Sequence, residues 1–369
     1  MKPYIAVPII VGLVHRAWSR KSLTPFGCVV AALTASAHGL HPWSAPLFLL
    51  MVFYLGGTRA TKVKHDIKAR LTLSATGSHG GEGSRTHVQV LANSVVATIL
   101  ILLHTWVLWK NKETNKCFSN GHSAADLLVV GIVANYAAVA ADTFSSELGI
   151  LSKSNPRLIT SLSLRAVPPG TNGGVTGTGL LAGVFGAFTI GLTSAVLIPF
   201  CGGHNGTSGT LQERVQWILA VTVCGALGSV LDSVLGGMLQ ASVVDKRTGK
   251  IIEGTGGQKV LIHPSSTKLG STADASGFSS DATGDSHLRS SEAVANAAAP
   301  KGPKGTGSSA GTTTGTQNDA LHESRRVESG FDILDNNAVN LLMAFIMSVG
   351  AMGVASWVWG VSVLDIDFC

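Results

Sequence analysis

Five apolar runs, at 88–109, 124–141, 173–200, 215–241 and 338–363, are each long enough to cross the hydrocarbon core of a bilayer as a helix. Nothing else in the chain constrains its fold as strongly, because in lipid every backbone N–H and C=O must be paired within the protein, and a helix does this by itself. Three shorter runs precede them, at 4–14, 26–40 and 45–57. The break at Gly39, Leu40, His41 and Pro42 makes the second and third either two tilted helices or one re-entrant hairpin. Both choices return the chain to the same side. The first run follows Lys2 as a secretory signal would, but Pro3 and Pro8 interrupt it and no small-residue cleavage site follows, so a weak first helix or interfacial segment is expected. The expected fold is an all-α integral membrane protein, a polytopic bundle of about seven to eight transmembrane helices.

Composition agrees. Only 13% of the 369 residues are charged, about half the share of an ordinary soluble domain, and the mean hydropathy of +0.34 leaves too little polar surface to coat a soluble globule. The 44 glycines suit close helix packing in a bilayer. The formal charge of +6 does not point to nucleic acid, since the basic residues sit in short loops beside apolar runs and not along one helical face. The five cysteines include no C-x-x-C pair, so neither a zinc site nor a dense disulfide framework is expected.

Taking every run as a span sorts the loops into two sets. Residues 15–25, 58–87, 142–172 and 242–337 carry 22 of the Lys and Arg residues, against 5 in the alternate set. Without the long 242–337 loop the split is still 12 to 5, so the basic set is expected to face the cytosol or its equivalent and both termini to face away. The tract 265–317 is Ser, Thr, Gly, Ala and Asp with scattered Lys and no hydrophobic period, which reads as a solvated linker. Three regions follow: a membrane bundle over 1–241, a largely disordered Ser/Thr/Gly-rich loop over 242–331, and a final motif with the last helix over 332–369.

Four polar clusters border the apolar runs, all on the basic face, and ionisable groups at membrane depth are costly enough to mark a site. In DTFSSELG (142–149), Asp142 and Ser146 share a helical face while Glu147 points away, so the two carboxylates converge only if the helix ends or distorts between them. Solvated acids at a helix end are the plainer alternative. GTNGGVTGTG (170–179) follows Pro168 and Pro169 and opens the next run. Its glycines suit either a phosphate cradle at a helix N-terminus, through Asn172, Gly173, Gly174 and Thr176, or a helix start capped by Thr171 or Asn172. In GALGSVLDSVLGG (225–237), Gly225, Gly228, Asp232 and Gly236 are spaced three, four and four, which places one carboxylate on a glycine-lined face fit for tight packing or for a ligand. In LDNNAVN (334–340), Asp335, Asn336 or Asn337 can cap the last helix, whereas Asn340 already lies in its first turn. The basic residues between them, including Arg85, Lys153, Arg157 and Arg165, either anchor helices at anionic lipid or bind phosphate.

The strings EGSRTHVQVLAN (82–93), ADTFSSELGILSKSNPRLIT (141–160), VPPGTNGGVT (167–176), GSVLDSVLGGMLQ (228–240) and LDNNAVNLL (334–342) resemble, in this order, the transmembrane protein 19 family, also called domain of unknown function 92. The long Ser/Thr/Gly loop departs from the shorter connection of that family. The resemblance implies a helical membrane bundle. Plant relatives are phytyl-phosphate kinases, so it further implies CTP-dependent phosphorylation of an isoprenoid monophosphate, although the motifs here are closer to the animal-type branch, which has no firmly assigned activity. In that reading Asp142, Glu147 and Asp232 are the catalytic, Mg²⁺-holding residues, Asn172 to Thr176 cradle phosphate, and Lys153, Arg157 and Arg165 neutralise charge. The partners are the lipid bilayer, an isoprenoid phosphate and a nucleotide, with no nucleic acid. The alternatives are a transporter or lipid-handling protein using the same cluster, or a non-catalytic structural membrane protein whose glycines only pack helices.

The topology is directly testable: a tag within 265–317 and a tag at Cys369 are expected on opposite sides of the membrane. Protease added to intact vesicles should remove one and spare the other, and removal of both or neither overturns the span count.

Overall fold

The computed structural model describes residues 1–75, 80, 83–110, 117–201, 210–260 and 325–366. The chain divides into one unit of 1–262 with 324–369 and a second of 263–323, which lies outside the described residues, as do the expected linker 265–317, Glu82 and Cys369. Nine α-helices occur among the described residues: α1 (Pro3–Ser19), α2 (Pro25–Leu40), α3 (Ala45–Lys62), the short α4 (His65–Leu71), α5 (His87–Lys110), α6 (Asp126–Gly149), α7 (Gly177–Leu197), α8 (Leu211–Leu239) and α9 (Asn336–Trp359). The last five are long and apolar enough to cross a membrane, whereas α1, α2 and α3 have 17, 16 and 18 residues and fall short in length or hydropathy. The expectation of about seven to eight spans therefore reduces to five long candidate spans and three lesser helices. The Gly39–Pro42 break separates α2 from α3 as two distinct helices, α2 starting where Thr24 accepts a hydrogen bond from the Gly27 N–H and Pro25 sets the first turn.

Helix α6 is the axle of the bundle. Its apolar stretch is 78% buried against 22–39% for the other four long helices, and it packs on α3, α5, α7, α8 and α9. Its sequence explains why: AAVAA presents small side chains to every neighbour, and without a hydrophobic drive between helices in lipid, association depends on such close contact. The glycines of the partners complete the fit. A Cβ on Gly228 would lie 2.5 Å from the Ala138 Cβ, and one on Gly186 only 2.7 Å from the Ala140 carbonyl oxygen.

The structure is not all helix. β1 (Leu73–Ser74), β4 (Ser242–Asp245), β5 (Ile251–Glu253) and β6 (Arg325–Ser329) form a sheet in the order β1-β5-β4-β6, and β2 (Arg157–Leu158) pairs with β3 (Gly174–Val175). The described ends of the loop expected over 242–331 are thus ordered strands. Val243, Val244, Ile251 and Ile252 are β-branched and buried, and Asp245 closes the hairpin by accepting from the N–H groups of Arg247 (2.7 Å) and Thr248 (3.0 Å). These short runs are too brief to stand out beside the polar tract that follows them.

A disulfide joins Cys117, beyond the end of α5, to Cys201, beyond the end of α7, at a sequence separation of 84. Its two segments also exchange backbone hydrogen bonds, from Phe118 N–H to the Pro199 carbonyl and from Cys201 N–H to the Phe118 carbonyl, both 2.8 Å. No local spacing announces a pair so far apart in sequence.

Gly228→Val is expected to lower the thermal midpoint in detergent by an overpacking penalty of about 1–3 kcal/mol. Gly350→Ala, on a part of α9 where a Cβ would meet nothing within 4 Å, should leave it unchanged or raised.

Candidate functional site

The close approach of α6 and α8 continues toward the ends of the two helices. One turn beyond the Ala138–Gly228 contact lie Asp142 and Asp232, whose carboxyl groups stand within hydrogen-bonding distance of each other. Asn340 of α9 joins them: with its amide oriented to satisfy its neighbours, it donates to Asp232 Oδ1 and to the Asn336 carbonyl, both at 3.2 Å. Asp335 caps α9 by accepting from the Ala338 N–H at 2.8 Å, and Asn337 donates to the Gly256 carbonyl at 3.0 Å. The last motif therefore divides its work between a cap, a strut to the extramembrane segment and a direct partner of the carboxylate pair.

Glu147 goes elsewhere. Because α6 continues unbroken to Gly149, the five-residue spacing turns Glu147 away from Asp142, and its Oε2 meets Lys68 Nζ at 2.5 Å while Oε1 accepts from Thr61 Oγ1 at 3.0 Å. Only 8% of the Lys68 side chain and 14% of that of Glu147 is exposed. Lys68 also donates to the carbonyls of Ala60 (3.1 Å) and Thr61 (2.6 Å), so it closes the C-terminus of α3. Arg85 donates to Thr61 Oγ1 at 3.1 Å and extends this chain of polar contacts.

The glycine loop packs between α6, α8 and β4. Gly173 has φ +77°, and a Cβ there would come within 2.7 Å of the Gly237 Cα, so only glycine fits. The N–H groups of Thr171, Asn172 and Gly174 are already committed, to the Pro168 carbonyl (3.2 Å), Ser242 Oγ (2.9 Å) and the Thr171 carbonyl (2.9 Å). Two of these amides hold the loop together and the third ties it to β4, where a phosphate cradle would need them turned outward. The cap of α7 is Thr176, accepting from Gly179 at 3.0 Å, in place of Thr171 or Asn172.

These parts enclose a cavity of about 670 Å³. Of the residues singled out from the sequence, Asp142, Glu147, Asp232, Asn172, Gly173, Gly174, Thr176, Arg85, Asp335, Asn336 and Asn340 line it. Lys153, Arg157 and Arg165 are exposed and do not, and Arg165 instead pairs with Glu328 at 2.8 Å. The cationic side chains on the wall are Arg85, Lys68, Lys259 and, when protonated, His65. Lys68, Thr61 and Lys259 had no signal in local sequence: each lies in a loop-flanking segment whose charge reads equally well as a topology marker. Residues 251–260, from β5 onward, form another part of the wall.

Among the described residues no group of three His, Cys, Asp or Glu is arranged to hold a metal ion. What the structure assembles is the pair Asp142 and Asp232. Two facing carboxylates repel unless a proton or cation lies between them, and one or two carboxylates with waters and substrate phosphates is the donor set Mg²⁺ takes.

The family model described as integral membrane protein DUF92 matches residues 8–348. Protein PGR of Arabidopsis thaliana is 36% identical over 244 residues, covering 64% of this chain and 80% of its own length. An uncharacterised membrane protein of Methanocaldococcus jannaschii is 33% identical over 178 residues, 46% of this chain and 62% of its own. Another, from Synechocystis, is 28% identical over 230 residues, 60% of this chain and 73% of its own. No solved structure matches.

Lys68→Met leaves Glu147 charged, nearly buried and without its cation, and is expected to cost about 3 kcal/mol, seen as a lowered unfolding midpoint. The double variant Lys68→Met, Glu147→Gln should recover most of the loss. Equal destabilisation by both would mean that the pair is not coupled.

Proposed function

We propose that this chain, which belongs to the integral membrane protein DUF92 family, is a membrane-embedded phosphotransferase that moves a phosphoryl group from a nucleotide, CTP by resemblance, to an isoprenoid monophosphate. The observation that carries this reading is the carboxylate pair Asp142 and Asp232 on the wall of a roomy cavity that also presents Arg85 and Lys259. Transfer of a phosphoryl group asks a protein for positioning and charge stabilisation, with no nucleophilic side chain required. Asp142 and Asp232 would hold Mg²⁺, which when bound screens the charge on the phosphates. Asn340 keeps Asp232 oriented, and the Lys68–Glu147 bridge fixes the ends of α3 and α6 against each other. Arg85 would offer positive charge to the substrate phosphates, joined by Lys259, which is bridged to Asp332 at 3.2 Å and would exchange part of that contact.

The motif face is read as cytosolic, where nucleotide is present. Two independent features support this: the loops on that side carry most of the basic residues, and the Cys117–Cys201 disulfide lies at the far end of α7 from the cavity, as an oxidising compartment there would permit. A transporter reading has less behind it, since the polar residues gather at the helix ends.

In wild-type protein solubilised in detergent, Mg²⁺ with CTP or ATP at about a hundred times its dissociation constant should add about 2.7 kcal/mol of stability and raise the thermal midpoint. Asp232→Asn and Asp142→Asn keep the shape but remove the charge and should lose the response. Asp365→Asn, beyond the opposite end of α9, should keep it. Labelled nucleotide incubated with a panel of prenyl monophosphates should label the lipid in wild type alone. No stabilisation of the wild type, or a full response from Asp232→Asn, removes the phosphotransfer assignment and moves packing or transport ahead.

A further inference from the structure

A second, smaller cavity of about 80 Å³ lies among α1, α2, α3 and α5, walled mainly by apolar groups such as Leu13, Cys28, Ala31, Leu50, Phe53 and Val90. Two of the hydroxyls on it are turned to the protein: Ser94 Oγ donates to the Val90 carbonyl at 2.8 Å, and Tyr54 shares a 2.8 Å hydrogen bond with Ser22. A cavity so lined stays dry and favours hydrocarbon. It adjoins the polar cavity, and Arg85, Gln89 and Asn93 line both. Gln89 and Asn93 are four apart on α5 and share one helical face, so a single partition has the charged cavity on one side and the apolar slot on the other.

We propose that this slot holds the first carbons of the hydrocarbon chain of a single-chain lipid phosphate, whose phosphate lies on the Arg85 side of the partition. The proposal rests on the phosphotransfer reading of the larger cavity and adds to it the place and width of the lipid subsite. Width is the specific content. At about 80 Å³ the slot has roughly half the volume of an apolar cavity of ~150 Å³ that accepts benzene, which suits one chain and excludes two side by side. Ala31 of α2 and Val90 of α5 line it from two different helices.

The test uses the full chain in phosphatidylcholine nanodiscs with a dodecyl phosphate carrying a photoreactive diazirine near its first carbons. Cross-links are expected on the peptides that contain Cys28 to Ala35 and Val90 to Ser94. Dodecyl phosphate should compete the label away, and dioleoyl phosphatidic acid at the same concentration should not. Ala31→Phe fills the slot and should reduce labelling about tenfold, the equivalent of losing the burial of roughly two methylenes. Val90→Trp narrows it from the other side and serves if Ala31→Phe does not fold. The retained Mg²⁺ and nucleotide response identifies a folded slot variant. Asp232→Asn should lose that response and still cross-link at the slot. Labelling elsewhere, undiminished labelling in a folded slot variant, or equal competition by phosphatidic acid overturns the slot. A wild type that cross-links as expected without responding to Mg²⁺ and nucleotide leaves the slot standing and overturns phosphotransfer.

Discussion

The parallel approach of α6 and α8 governs the rest of the molecule. At Gly228 the backbone of α8 comes so near Ala138 that no side chain fits between them, and four residues further along each helix stand Asp232 and Asp142. A spacing of four keeps both carboxylates on the contacting faces, one turn beyond the tightest point. The two acids thus face each other because of how the helices pack, and the glycines that permit the packing are also what gives the acids their separation. The same logic continues to Gly237, which packs against Gly173 and seats the glycine loop beside the pair.

Around this axis the charges are sorted by what each has to balance. Glu147 is matched by Lys68 within a nearly buried bridge that also closes α3, so its charge is satisfied inside the protein. Asp142 and Asp232 face each other, with an amide from Asn340 as support for Asp232. An acid bridged to a lysine inside the fold has a structural task, whereas two acids side by side on a cavity wall offer the donor set that a divalent cation takes. The proposed phosphotransfer therefore draws on Asp142 and Asp232, while Glu147 serves the scaffold.

Much of this was legible in the sequence where a short-range period carried it. The three, four, four spacing of Gly225, Gly228, Asp232 and Gly236 places an acid on a glycine face, and the five-residue offset between Asp142 and Glu147 says that they diverge on an intact helix. Both hold in three dimensions. Features made by long-range pairing were not legible. The partnership of Lys68 with Glu147 spans 79 residues, and that of Cys117 with Cys201 spans 84. The sheet joins Leu73 to Ile252 and Val243 to Val327, two- to five-residue strands whose partners lie across the bundle or across the polar tract. Arg157 and Arg165 illustrate the opposite error: proximity to a motif in sequence suggested a phosphate role, yet the β2–β3 pairing carries Arg157 away and Glu328 holds Arg165 outside.

In the proposed phosphotransfer the sheet would bear on how two unlike substrates reach one pair of acids. The cavity wall formed by residues 251–260 lies outside the long apolar helices, tied to α9 through the Asn337 to Gly256 hydrogen bond, and its neighbour β4 is tied to the glycine loop through Ser242 and Asn172. On that side a water-soluble, highly charged molecule can enter without crossing hydrocarbon. The partition at Gln89 and Asn93 lies elsewhere on the wall, among helices. A protein that must bring an aqueous donor to a lipid acceptor needs one entrance in each phase and its charged groups where they meet. The carboxylate pair, about two turns inside the C-terminal ends of α6 and α8, would occupy such a meeting point.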